Sequence, residues 1–132
     1  MSHSQPPRPT DAELGILRVL WKRGPSTVRQ LQLSLADDVD VSAASVLKLL
    51  QIMAGKRLVR RDASSRAHVF EATWSEQQTQ KQLMDHLVDR AFDGSAVRLA
   101  LRALSSRPSS REELAEIREL IERFKEREGD ER

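Results

Sequence analysis

A chain of 132 residues holds one ordinary domain, or one small domain plus an appendage that needs a partner to bury its apolar face, and it is too short for a large enzyme fold. Charged residues make up 32% and aromatics 4%, so the core must come from Leu, Val, Ile and Ala, which suits short helices; the absence of cysteine removes disulfides, thiolate zinc sites and thiol redox sensing, and an intracellular compartment fits best. Net charge is only +2, but residues 8–74 carry 11 Lys/Arg against 7 Asp/Glu while residues 75–132 carry 11 against 13, so the N-terminal half is the basic one.

The opening segment, Met1 to Pro9, has no apolar centre, so it reads as disordered over 1–9 and not as a secretory signal. No later apolar run approaches the roughly 20 residues that span a bilayer, so a soluble cytoplasmic protein without membrane contact is expected. Thr10-Asp11-Ala12-Glu13 has capping-box spacing and predicts a helix from about Asp11 to Lys22, with Leu14, Leu17, Leu20 and Trp21 on one face and Gly24-Pro25 as its stop. Ser26 or Thr27 caps a second helix with Val28, Leu31 and Leu35 as its stripe, ended by the acidic turn Asp37-Asp38-Val39-Asp40. The third helix spans about Ser42 to Ala54. At 100° per residue, Ala43, Val46, Leu47, Leu50 and Met53 fall on its core side, and Ala44, Ser45, Lys48, Gln51 and Ile52 on the other. The period then changes to 2, and Leu58 to Asp62 and Ala67 to Glu71 read as a hairpin joined by Ala63-Ser64-Ser65-Arg66.

Ser75 to Gln78 repeats the capping-box spacing and opens a helix carrying Leu83, Leu87, Val88 and Phe92 that ends near Gly94. Ser95 to Leu104 is a short apolar-rich segment, and Ser105 to Ser109 is a loop by composition. Ser110-Arg111-Glu112-Glu113 caps the last helix, which aligns Leu114, Ile117, Leu120, Ile121 and Phe124 before residues 129–132 fray.

Three short helices followed by a hairpin form the winged helix-turn-helix order, in which the third helix enters the major groove. The expected fold class is therefore mostly α with a small β-hairpin: a winged helix-turn-helix DNA-binding domain over 10–74 and a C-terminal helical dimerisation region over 75–128. Phosphate neutralisation needs cations around the reading helix, and residues 56–66 supply Lys56, Arg57, Arg60, Arg61 and Arg66 against Asp62 alone. Base reading needs short polar groups beside longer donors. The candidate DNA contacts are Ser42, Ala44, Ser45, Lys48 and Gln51 on the helix and Arg60, Arg61, Ser65, Arg66 and His68 on the hairpin. Strand alternation turns one of Arg60 and Arg61 away from the duplex. The candidate dimerisation residues are Leu83, Leu87, Phe92, Leu101, Leu104, Leu114, Ile117, Leu120, Ile121 and Phe124, an apolar set too large to stay wet and too short to enclose itself.

Rival readings are weaker. Asp85 and Asp89 share a helix face but His86 is turned about 100° from them, with His68 remote in sequence, so neither metal nor cofactor is expected. Trp21 sits in an apolar face, as a core residue does. No nucleophile with a base, no paired carboxylates and no phosphate-cradling glycine loop point to an enzyme. A helical interaction adaptor would share the last helix but has no use for a basic hairpin; a winged-helix regulator controlled by a directly bound ligand is the other alternative.

Several motifs then fall in one register: Pro9 to Leu14, Val19-Leu20-Trp21, Gly24 to Val28, Val46-Leu47 through Met53, Leu58 to Arg61 and Arg66 to Phe70. Together they resemble the penicillinase-repressor family, in order from residue 9 to about 124. The resemblance implies a homodimeric repressor of duplex DNA with a palindromic operator and a helical dimerisation region. It also implies relief when a sensor-activated protease responding to β-lactam cuts that region, which aligns near Arg102 and Ala103, without the Asn-Phe bond of the best-known members. Other departures are Ala43-Ala44-Ser45 where the family has Tyr-Thr-Thr, Arg57 where it commonly has glycine, and no C-terminal cysteine cluster of the copper-responsive kind.

Overall fold

The computed structural model describes residues 5–36, 41–64, 66 and 68–130, so the acidic turn 37–40 and Ser65 and Ala67 near the hairpin tip lie outside the described residues. The elements in order are α1 (Asp11–Arg23), β1 (Ser26–Thr27), α2 (Val28–Leu35), α3 (Ala43–Gly55), β2 (Val59–Asp62), β3 (Val69–Ala72), α4 (Glu76–Ala91), α5 (Ala96–Ser106) and α6 (Arg111–Asp130). Among the described residues no helix is long and apolar enough to cross a membrane. The chain divides into two compact units, Met1–Leu87 and Val88–Arg132.

The first unit packs α1, α2 and α3 on a small antiparallel sheet of order β1-β3-β2. Its core is Ile16, Leu17 and Leu20 from α1, Leu31 from α2, Val46, Leu50 and Met53 from α3, and Leu58, Val59 and Phe70 from the sheet region. The buried face of α1 is centred on Ile16, which the sequence reading passed over, while Leu14 is only half-buried. On α3 the buried side narrows to Val46, Leu50 and Met53; Ala43 and Leu47, expected in the core, are exposed. A second correction is β1. Ser26 pairs with Phe70 and Thr27 with Val69, making a three-stranded sheet where a two-stranded hairpin is expected. Two residues are too few to show a period of 2. Thr27 is also the N-cap of α2, in a reciprocal box with Gln30. Within the segment 1–9, where disorder is expected, Pro6 and Pro9 are buried and the Arg8 guanidinium contacts His86.

Glu13 does more than complete the α1 capping box. Its carboxylate is 1% exposed, accepts from the Thr10 amide at 2.8 Å, and takes the Lys56 ammonium at 2.8 and 3.1 Å. It therefore ties the start of α1 to the end of α3. Burial pushes the Glu13 carboxyl up, but the Lys56 hydrogen bond and charge and the Thr10 bonds outweigh it, and the net shift is below the ordinary 4.5. A folded-state value below the unfolded one means a stability contribution present above about pH 4.5 and lost as pH falls through the folded value. Thermal melts between about pH 3 and 7 are expected to show Glu13→Gln losing less stability on acidification than the unmodified chain; parallel curves would contradict this role.

The end of α3 explains one departure from the family pattern. Leu58 N–H donates to the Met53 carbonyl at 2.9 Å and Arg57 N–H to that of Ala54 at 3.1 Å, the bond pair of a Schellman cap. Arg57, at the position that glycine favours, has φ of 65°. The Trp74 indole N–H, donating to the Arg57 carbonyl at 3.0 Å, helps hold it there, and the Trp21 indole N–H donates to the Trp74 carbonyl at 3.0 Å. Trp21 is packed against the core, as its apolar face implies. A side chain in the left-handed region costs about 1–2 kcal/mol, partly offset by the roughly 0.5–1 kcal/mol that glycine loses on ordering. Arg57→Gly is thus expected to stabilise the protein by up to about 1 kcal/mol, whereas Arg57→Ala should not; equal melting temperatures for the two would show that the conformation is not strained.

The second unit contains α5 and α6 with the end of α4. Ser95 caps α5, and Ser110 forms a reciprocal box with Glu113 at the start of α6. The apolar segment expected to end at Leu104 is helical to Ser106, and α6 continues through Gly129 to Asp130. No side chain described between 96 and 129 is buried.

Candidate nucleic-acid interface

Three structural features define the surface that can meet a nucleic acid: the open side of α3, the N-terminus of α2 and the two-stranded part of the sheet. Ser42 is the N-cap of α3; its hydroxyl accepts from the Ser45 amide at 3.1 Å and donates to the Ser45 hydroxyl at 3.0 Å. Both serines therefore serve the cap, although Ser45 keeps its own O–H to donate. Ala44, Lys48 and Gln51 are exposed on the same helix, and Lys48 forms no ion pair with any described residue.

Cross-strand register separates the two arginines that alternation alone could not assign. Arg61 pairs with Phe70 and Arg60 with Glu71. Phe70 is buried, so its partner Arg61 shares the helix-facing side of the sheet, as does His68 two residues before it. The Arg61 guanidinium lies 3.5 Å from His68 Nε2. Arg60 is on the opposite side, its Nε donating to Glu71 at 2.6 Å. The site thus gathers Arg61 and His68 on the side that carries α3, and leaves Arg60 away from it in an ion pair. Arg66 is exposed at the hairpin tip, and Ser65 lies outside the described residues. Beside them, hydrogen bonds from the Ser64 side chain and amide hold the Asp62 carboxyl below its usual range and shape the turn.

Sequence reasoning missed the contribution of α2. Val28 and Arg29 follow the Thr27 cap and meet Ala43, Ala44, Leu47 and His68 around an open hollow of about 450 Å³. The signal was present in Gly24-Pro25-Ser26-Thr27, which sets where α2 begins, but a lone exposed arginine carries no periodicity. His68 and His86 are not brought into a metal site: among the described residues no group of three or more His, Asp or Glu side chains converges.

A three-helix unit on a three-stranded sheet, with the polar side of its third helix open beside a basic hairpin, is a winged helix-turn-helix DNA-binding regulator. Among curated proteins none matches the sequence. Similar solved structures include a MarR family regulator from Neisseria meningitidis, at 12% identity and a TM-score of 0.40, covering 90% of this chain and 78% of that one. The sequence matches the penicillinase repressor family over residues 9–123. The chain belongs to that family, and so to the DNA-binding transcriptional repressors.

Proposed function

We propose that the chain acts as a homodimer that binds a two-fold symmetric operator in duplex DNA, with the 10–74 region reading DNA and the 75–128 region joining the protomers. The observation that carries DNA reading is the pairing of Lys48, in no ion pair among the described residues, on the open side of α3 with Arg61 and His68 on the adjoining sheet face. Ala44, Ser45, Lys48 and Gln51 face base edges, while Arg61, Arg66 and His68 meet the backbone; Arg60 contributes little because Glu71 already holds it. Ser42 acts by capping the helix, and Ser65 is assigned to the wing tip by sequence alone.

The observation that carries dimerisation is the run of exposed apolar side chains in the second unit. Val97, Leu101 and Leu104 lie at helical spacing on α5, and Leu114, Leu120, Ile121 and Phe124 on α6, each at least 39% exposed. Ile117 and Phe92 are half-buried, as is Leu83, and Leu87 is 45% exposed. Full burial of such a side chain contributes about 1.5–3 kcal/mol, so covering the roughly half that is exposed contributes about 1 kcal/mol each, which summed over both protomers is enough to hold two chains together. Release by proteolysis fits α5. Arg102 and Ala103 lie inside this 11-residue helix, which buries no side chain and is marginal on its own, so a protease can draw it into an extended form. The regulated genes would be those of a β-lactam response or a related one.

The experiment is selection of bound sites from a pool of random duplexes, followed by titration at several salt concentrations. An enriched inverted repeat and a steep loss of affinity with salt are expected. Enrichment of no motif, with salt-independent retention, would favour the adaptor reading.

A further inference from the structure

The hollow beside α3 is mostly apolar; the Thr27 side chain, which also lines it, has its Oγ1 engaged by the Gln30 amide of the α2 cap. Ala43, Ala44 and Leu47 line it from α3 and Val28 from α2, with Arg29 and His68 also in its lining. Leu47 is 39% exposed and Ala43 and Ala44 are exposed, and all three lie on the helix that a winged-helix protein inserts into the major groove. A base edge brought against Ala43, Ala44, Leu47 and Val28 meets carbon side chains, with Thr27 and His68 as the polar neighbours. Of the four bases in the major groove only thymine presents an apolar group, its C5 methyl. Two alanines in succession let the helix backbone come close, and Leu47 supplies the contact area. The charge matches as well: Arg29, exposed and in no ion pair among the described residues, lines the hollow where a phosphate flanking such a base would meet it.

We infer that this hollow is a thymine-methyl reader and that Leu47 is a specificity-determining residue of the operator contact. The inference rests on the DNA-binding reading above and adds to it the identity of one base in each half-site. Lys48, about 100° around the helix from Leu47, then addresses a neighbouring base, so apolar and polar readout alternate along the groove.

The test uses the full chain and a duplex carrying the site selected from the random pool, with each thymine replaced in turn by uracil, which lacks only the methyl. For the unmodified chain, uracil at one thymine of each half-site is expected to lower affinity about 3- to 10-fold per half-site, the scale of one buried methyl. Leu47→Ala should bind the thymine site more weakly and respond less than twofold to the same uracil. Because the uracil arm changes no residue, it does not depend on the variant folding. Equal uracil losses in both proteins, or none at any thymine, would overturn the inference while salt-dependent duplex binding kept the repressor reading intact. Failure to bind any duplex would overturn both. A shift of the monomer–dimer equilibrium in Leu47→Ala, without change in uracil response, would show that a second copy of the chain covers the hollow instead.

Discussion

A chain cut after Leu87 is expected to bind its selected operator about 10²- to 10⁴-fold more weakly than the full chain at one ionic strength. The cut leaves the first compact unit whole, including the Trp21–Trp74–Arg57 hydrogen bonds and the capped start of α4. What it removes is the end of α4 with α5 and α6, the last two carrying exposed apolar faces. Joining two weak readers makes the second half-site contact intramolecular, so affinity rises with no new base contact; separating them reverses the gain. The double variant Leu101→Glu with Ile121→Glu should act in the same direction, because both side chains are already exposed and a charge there would oppose the proposed contact between protomers without disturbing the core. Sedimentation of each form, with DNA titration beside it, reads the effect. A truncated monomer that bound within about threefold of the intact protein would place control elsewhere than in dimerisation.

Substitutions on the reading surface should separate by role. Lys48→Ala is expected to cost roughly 1–3 kcal/mol on the selected site, about 5- to 150-fold, and to relax preference at one position. Arg61→Ala should weaken all duplexes alike and lower the salt slope by about 1, the signature of one lost phosphate contact. Arg60→Ala should change little, because that side chain is on the far side of the sheet in a pair with Glu71. Exposed pairs of this kind contribute about 0–1 kcal/mol, so its loss should not unfold the wing. An Arg60 effect larger than that of Arg61 would mean that the opposite sheet face meets the DNA.

Much of this was legible from residue type and spacing. Capping boxes at Thr10, Ser75 and Ser110 located three helix starts, since the side-chain and backbone partners that make the motif are adjacent in sequence. What escaped depends on contacts between distant residues. Glu13 reads as a capping residue until Lys56, 43 positions away, is seen to pair with it. Ser26 and Thr27 become a strand only because Phe70 and Val69 lie beside them. The α3 core face was assigned too broadly because a 100° projection centres on the most apolar residues, whereas the real centre is set by where α2 and β2 lie. That shift takes Leu47 out of the core and leaves it exposed on the side where a duplex is proposed to dock.

The most direct measurement of the central claim is the mass and symmetry of the protein–DNA complex, obtained by sedimentation of the full chain on a selected duplex together with footprinting of both strands. Two chains per duplex are expected, protecting an inverted repeat whose half-site centres lie about one helical turn apart or a small multiple of it. One chain per duplex on a single unpaired half-site, or equal affinity for single strands, would contradict a dimeric winged-helix repressor.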